Sequence, residues 1–254
     1  MKFSNGYIFG FSAVVCIVAS LAVSSVSISL RERQEVNRQR DLRKNILSSL
    51  GLPAEGDPPI EGDSIDAAWE EYVDQRFITP SGAAADVAQD QDGNGLLDVD
   101  DLKLAVRSVK NTEDTPPVLG VFLRVEDGTT RSVAIPLDGN GLWGPLTGYL
   151  ALDPRAKEIT GATFFAPKET PGLGAEIMEP KFKGQWVGKS VTDGSGNTTA
   201  VRVVKGAATN LCPDDLEHCV DGISGATITS RGVDAMVAEA LQWYDPYLSG
   251  LRGG

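Results

Sequence analysis

Residues 221–229 have the sequence Asp-Gly-Ile-Ser-Gly-Ala-Thr-Ile-Thr and lead directly into a helical pattern. After them, apolar residues recur with the spacing of one helix face, at Val233, Met236, Val237, Ala240, Leu241 and Tyr244. The segment therefore lies at the N-terminus of a predicted amphipathic helix, where free N–H groups and the helix dipole favour an anion such as phosphate. A ligand-free alternative also fits these residues, because Thr227, Thr229 or Ser230 can cap the helix.

The same segment resembles the flavinylation motif Asp-x-x-Ser-Gly-Ala-Thr-x-Thr of the periplasmic FMN-binding domain family. The resemblance implies that a separate flavin transferase, which uses FAD, esterifies the Thr229 hydroxyl to the phosphate of FMN. An outside enzyme is needed because a threonine hydroxyl is weakly nucleophilic at neutral pH. The resemblance also implies cofactor-binding roles for Ser224, Gly225, Ala226 and Thr227. Asp221 is expected to shape the turn or to bind the metal used during flavinylation.

Three other segments are similar to the C-subunits of the sodium-translocating NADH:quinone oxidoreductases and occur in the same order. They are residues 135–146 with Gly-Asn-Gly-Leu-Trp, residues 169–174 with Glu-Thr-Pro-Gly-Leu-Gly, and residues 182–189 with Gln-Trp. The resemblance implies an oxidoreductase component whose covalent FMN carries electrons between partner subunits of a sodium-pumping membrane complex that uses NADH and ubiquinone. Residues 166–168, Ala-Pro-Lys, depart from the family pattern.

A flavin site needs an apolar face for the ring, hydrogen-bond donors for its carbonyls and a holder for its phosphate. Trp143 is a candidate for stacking on the ring, and Thr170, Leu173 and Gly174 are candidates for lining its edge. Lys205 is a candidate for offsetting negative charge. Core packing is the alternative for Trp143, and it is our interpretation of Trp186.

Strand patterns separated by turn residues follow the sequence Thr-Pro-Pro at residues 115–117. They cover residues 118–125, 132–137, 149–152, 159–165 and 201–205. The predicted fold class is α+β: one N-terminal transmembrane helix, then a soluble domain with a mainly antiparallel twisted sheet and flanking helices. The predicted domains are a membrane anchor (1–30), a helical linker region (31–115) and an FMN-binding domain (116–254). Within the linker region, residues 31–52 and 65–77 show helical patterns.

Residues 7–30 are apolar or small, and no charged residue lies between Lys2 and Arg31. As a helix they span about 36 Å, enough to cross a hydrocarbon core of about 30 Å. We predict a retained single-pass anchor, and a cleaved signal peptide is the alternative. The basic residues that follow would place the C-terminal domain in the cytoplasm by the positive-inside rule. The flavin motif implies the opposite, a bacterial inner-membrane protein with a periplasmic domain, and we follow the motif.

Residues 90–101 have the spacing of an EF-hand calcium loop, with a glycine at the turn position. The oxygen-bearing candidates are Asp90, Asp92, Asn94, Asp98 and Asp101. The spacing predicts a structural calcium site, although the last ligand is Asp where Glu is usual. The alternative is a solvated acidic turn.

Cys212 and Cys219 lie just before the flavin segment. In an oxidising compartment we predict a disulfide between them. The alternatives are two free thiols or a metal site completed by His218. His218 is the only histidine of the chain, which excludes histidine triads and multi-histidine metal centres.

The net charge of −12 at pH 7 argues against nucleic acid as a partner, because its phosphates would repel the chain. Two rival functions stay open. One is the G-subunit of the related ferredoxin:NAD oxidoreductase complex, Rnf, which shares the flavin motif. The other is a membrane-anchored calcium-binding interaction module in which residues 221–229 only cap a helix.

Overall fold

The computed structural model of this chain describes residues 4–54, 56–85 and 119–253. The chain forms two compact units, Met1–Asp41 and Leu42–Gly254. Helix α1 (Asn5–Ser49) supplies the first unit and the beginning of the second. Its Asn5–Arg31 portion is long and apolar enough to cross a membrane. The predicted apolar N-terminal helix is therefore confirmed.

The second unit is built on a five-stranded antiparallel sheet in the order β1-β2-β3-β4-β5. The strands are β1 (Val73–Ile78), β2 (Leu119–Glu126), β3 (Thr129–Asn140), β4 (Pro145–Leu152) and β5 (Ile159–Phe165). Asp127 and Gly128 both have positive φ, 51° and 72°, and this pair joins β2 to β3 with the twist that tight hairpins favour. The predicted mainly antiparallel sheet is confirmed.

Shorter elements complete this unit around the sheet. Strands β6 (Arg202–Val204) and β7 (Cys219–Asp221) pair in parallel. The helices that follow α1 in the described residues are α2 (Ser64–Tyr72), α3 (Pro180–Lys183), α4 (Ala208–Leu211) and α5 (Thr227–Gly253), with 3₁₀ turns at Gly174–Met178 and Leu216–His218.

Helix α5 covers one face of the sheet. The side chains of its predicted apolar stripe are all buried, and Leu248 extends the stripe. The helix lies very close to β3: a Cβ added at Gly232 would be 2.2 Å from the carbonyl oxygen of Asn140. This close approach brings the N-terminal end of α5 beside the end of β3 and the turn that follows it.

The end of α1 and helix α2 cover the other face of the sheet. Ile46 and Leu50 pack with Phe122, Tyr149 and Ala151. A Cβ added at Gly161 would be 2.1 Å from the carbonyl oxygen of Ser49, so the helix end rests directly on β5. Successive strand residues point to opposite faces, and β4 accordingly sends Leu150 toward α5 and its neighbours toward α1.

Two sequence predictions differ from the structure. The helical pattern at residues 65–77 ends at Tyr72, because Val73–Ile78 pairs with β2 as an edge strand. Strands β3 and β4 extend further than predicted, since Gly139 and Asn140 continue the pairing up to the turn.

Candidate functional site

The segment 221–229 forms a tight turn that ends in α5. Gly225 has φ of 79°, a conformation that glycine adopts without steric cost. Gly222 packs against β6, where a Cβ would lie 2.2 Å from the carbonyl oxygen of Val204. The backbone N–H of Ile223 donates to Ser230 Oγ (3.1 Å), and the N–H of Ala226 donates to the Ile223 carbonyl (3.1 Å). These contacts fix the turn at the start of the helix.

Thr229 makes an unusual buried contact with a carboxylate. Its Oγ1 donates to Glu169 Oε2 over 2.6 Å, and the two residues are only 1% and 6% exposed. The other carboxylate oxygen, Oε1, accepts from the backbone N–H of Trp143 over 2.8 Å. Glu169 therefore links the three motif segments that contain Trp143, Thr229 and Glu169 itself.

Two glycines leave the space that this carboxylate occupies. A Cβ added at Gly141 would lie 2.5 Å from Glu169 Oε1. One added at Gly174 would lie 2.2 Å from Glu169 Oε2 and 2.7 Å from Thr229 Oγ1. Neither position carries a positive φ, so these glycines are required for space and not for backbone conformation.

The three motif segments that meet at the buried pair also carry exposed apolar side chains. Trp143 is 63% exposed and Leu173 is 40% exposed, and Leu142 and Ile228 are exposed as well. The core-packing alternative for Trp143 is therefore wrong, whereas Trp186 is fully buried against Phe164 and Phe182 as predicted. Leu173 reaches the turn, because a Cβ on Gly225 would be 2.9 Å from Leu173 Cδ2.

Residues of the turn also line a cleft of about 440 Å³. The predicted residues that line it are Lys205, Ser224, Gly225 and Thr227, and Arg231 adds a second cation. The structure thus sorts the predicted site residues into two groups. One group lines the cleft. In the other, Gly174 is next to Glu169 and Thr229, the Trp143 N–H binds Glu169, and Leu173 reaches Gly225.

Thr170 and Ala226 support the loops at this site. The Thr170 carbonyl accepts from the N–H groups of Leu173 and Ala175, which shapes the segment that ends over Thr229. Ala226 is buried, and its carbonyl accepts from the N–H of Ser230. The side chain of Thr170 itself is exposed.

Asp221 forms hydrogen bonds that fix the residues just before the turn. Its Oδ1 accepts from the N–H of Ala208 at the start of α4 (2.7 Å), and its own N–H donates to Gln185 Oε1 (2.8 Å). These bonds tie β7 to two neighbouring segments. They agree with a role in shaping the turn, which stays a prediction.

Cys212 and Cys219 are joined by a disulfide. His218 next to it is buried, with Nδ1 2.5 Å from Asp215 Oδ1 and Nε2 3.0 Å from the Thr192 carbonyl. Burial lowers the pKa of His218, but its bonds with Asp215 and Thr192 raise it above the ordinary value. The hydrogen bond from His218 lowers the pKa of Asp215. Because the two sulfurs are bonded to each other, the structure has neither two free thiols nor cysteine ligands for a metal at this place.

The acidic loop at residues 90–101 lies outside the described residues. Its candidate calcium ligands, Asp90, Asp92, Asn94, Asp98 and Asp101, are therefore known from the sequence alone. Calcium binding by this loop stays a prediction.

As well as Arg231 in the cleft, sequence reasoning missed Glu169 as a functional group. It is the first residue of the Glu-Thr-Pro-Gly-Leu-Gly segment. Its position in a short motif rich in glycine and proline could have indicated a function. Segments of this kind pack closely and can bury a charged side chain.

Comparison with known proteins gives consistent matches. Residues 141–242 match the FMN-binding domain family. A Pseudomonas aeruginosa protein, named as the C-subunit of a Na(+)-translocating NADH-quinone reductase, is 32% identical over 251 residues, covering 95% of this chain and 94% of that protein. The Haemophilus ducreyi protein of the same name is 33% identical, covering 92% and 89%. A crystal structure of the corresponding protein from Parabacteroides distasonis has a TM-score of 0.69 and 31% identity, covering 87% of this chain and 97% of that chain.

Proposed function

Because this chain belongs to the family of Na(+)-translocating NADH-quinone reductase C-subunits, we propose that it carries electrons through FMN esterified to Thr229. In this proposal the chain acts as one component of an oxidoreductase complex in a bacterial inner membrane. The names of the relatives favour this function over the G-subunit of the ferredoxin:NAD oxidoreductase complex.

The observation that carries the proposal is the contact between Thr229 and Glu169. Thr229 Oγ1 donates to one oxygen of Glu169, and the other oxygen accepts from the Trp143 N–H, so three segments distant in sequence meet at this pair. A hydroxyl that only capped the helix would need contacts with the helix N–H groups alone. The hydrogen bond of Thr229 to a carboxylate 60 residues away in sequence instead favours a dedicated site.

The residues around Thr229 fit a flavin. Exposed Trp143 and Leu173 offer the apolar surface that an isoalloxazine ring requires. Thr229 lies in the first turn of α5, and the N-terminal end of a helix favours a phosphate. FMN supplies one-electron chemistry when bound, and the protein holds it and tunes its electronics. A covalent bond suits this task, since a carrier near bulk solvent is not lost by dissociation.

The proposed location is the periplasmic side, with α1 as a single-pass anchor. The disulfide between Cys212 and Cys219 supports this side, because disulfides persist in oxidising compartments and are rare in the cytosol. The basic residues from Arg31 onward favour the opposite orientation. We give the disulfide and the flavin segment more weight. The proposed partners are the other subunits of the complex and a flavin transferase.

The test is the substitution Thr229→Ala in protein expressed together with a flavin transferase. We expect the wild-type chain to keep flavin fluorescence after denaturing electrophoresis, with one FMN found on the peptide that contains Thr229. The variant should fold and carry no adduct. Thr209→Ala, an exposed threonine outside the site, is the matched control and should be flavinylated normally.

A colourless wild-type protein, or an adduct retained in Thr229→Ala, would contradict the proposal. The first result would favour the calcium-binding interaction module, for which residues 221–229 only cap α5. The second would move the attachment site to another hydroxyl.

A further inference from the structure

The hydroxyl of Thr229 already has an acceptor for its proton. Oγ1 donates to Glu169 Oε2 over 2.6 Å, which is within the range for general-base catalysis. The Trp143 N–H holds the other carboxylate oxygen at 2.8 Å, so that Oε2 is the one turned toward the hydroxyl. The geometry is therefore fixed from both sides of the carboxylate.

Three other groups of the described residues that could take a proton hydrogen-bond to residues other than Thr229. Asp221 accepts from the Ala208 N–H, and Asp234 accepts from the Val203 N–H. His218 uses both ring nitrogens for Asp215 and the Thr192 carbonyl. Among the described contacts of Thr229 Oγ1, Glu169 provides the carboxylate.

We propose that Glu169 is the general base that removes the proton of Thr229 when the flavin ester forms. This inference rests on the proposed function and concerns the maturation of the protein. The co-reactant is a flavin dinucleotide presented by the transferase. Thr229 Oγ1 attacks the flavin-side phosphorus of the pyrophosphate, forming one O–P bond. The bond to the other phosphate breaks, AMP leaves with the electron pair, and the proton passes from Oγ1 to Glu169 Oε2. No atom changes oxidation state.

The packing explains why the carboxylate is selective for this hydroxyl. Gly141 and Gly174 lie so close to Glu169 that even a methyl group at either position would overlap its oxygens. Because Thr229 is 1% exposed, residues that cover it must move before a phosphate reaches Oγ1. Gly174 is adjacent to both partners, and Leu173 before it is exposed. The transferase therefore has to displace this segment while Glu169 keeps its contact.

The experiment measures the rate of adduct formation on the full-length chain in detergent. Purified flavin transferase, FAD and Mg²⁺ are added to protein made without the transferase, and the adduct is quantified by mass spectrometry. Glu169→Gln keeps the size of the side chain and an acceptor for the Trp143 N–H but cannot take a proton. We expect the rate to fall by about 10²–10⁴-fold, the usual contribution of a general base.

The matched control is Glu179→Gln, an exposed glutamate of the same region, which should react at the wild-type rate. Urea unfolding of each variant verifies that it is folded. If Glu169→Gln does not fold, Glu169→Asp is compared with Glu169→Asn. These two side chains have the same length, and only the aspartate can accept a proton. Faster reaction of the Asp variant supports the inference, and equal rates overturn it.

The two proposals fail in different ways. A folded Glu169→Gln chain that is flavinylated on Thr229 within threefold of the wild-type rate overturns the role of Glu169 and leaves the proposed function intact. A wild-type chain that forms no adduct on Thr229 overturns the proposed function itself.

Discussion

The substitution Gly174→Ala tests the buried pair at the centre of the site. The added Cβ would lie 2.2 Å from Glu169 Oε2 and 2.7 Å from Thr229 Oγ1. Even a weak carbon–oxygen contact requires about 3.3 Å, so the methyl group forces the two partners apart. The φ of Gly174 is not positive, and alanine therefore adds no backbone strain of its own.

Two effects set the expected loss of stability for Gly174→Ala. Overpacking a closely packed interior costs about 1–3 kcal/mol. Breaking a buried hydrogen bond to a charged group costs about 1.5–3 kcal/mol. With partial relaxation we expect the free energy of unfolding to fall by about 3–5 kcal/mol. Adduct formation on Thr229 should slow as well, because the same contact is lost.

The assay is urea unfolding of the flavin-free chain in detergent, followed by tryptophan fluorescence. All four tryptophans lie in the unit Leu42–Gly254, so the signal reports on the domain that contains the site. Gly250→Ala is the control: its Cβ would meet no atom within 4 Å, and alanine should stabilise helix α5 by about 0.5–1 kcal/mol. A Gly174→Ala chain within about 0.5 kcal/mol of wild type would refute the arrangement of Glu169 and Thr229.

Two further predictions concern the segment before the flavin turn. Replacing both Cys212 and Cys219 by serine should lower the free energy of unfolding by about 2–3 kcal/mol, as expected for a short closed loop. A reducing agent should then destabilise the wild type and leave the double variant unchanged, whereas equal effects on both would count against a stabilising disulfide. The second prediction follows from His218, whose pKa is raised by Asp215 and Thr192 although burial alone lowers it. Its contribution to stability is complete below the unfolded pKa of about 6.5 and is lost as the pH rises through the folded value. Urea unfolding between pH 5 and 9 should show this loss for wild type and a weaker one for Asp215→Asn, and identical pH profiles would argue against the pair.

The antiparallel sheet was largely predictable because most of its strands are neighbours in sequence and are short, mainly apolar runs separated by turn residues. Strand β1 was not, since its partner β2 lies beyond residues 86–118 and the strand follows α2 without a break. Short β7 was also missed, because its three residues are too few to show a period. Periodicity within a short stretch of sequence predicts a helix or a strand, but it does not show which distant strand will pair with it.

The candidate site divides in the same way. The hydroxyl of Thr229, the turn with Gly225 and the cysteine pair could be identified from local sequence. The exposure of Trp143 and the separate cleft beside Lys205 could not, since they depend on how distant segments meet. Glu169 is the clearest case, because a glutamate in a glycine-rich segment is usually solvated.

The sequence by itself determined an apolar N-terminal helix, an antiparallel sheet and a hydroxyl-rich turn before an amphipathic helix. Each of these features follows from the spacing of neighbouring residues along the chain. The tertiary structure alone decided that Glu169 lies 2.6 Å from the Thr229 hydroxyl, with Gly141 and Gly174 leaving the space. That contact joins residues 60 positions apart, and only the packing of α5 on the sheet brings them together.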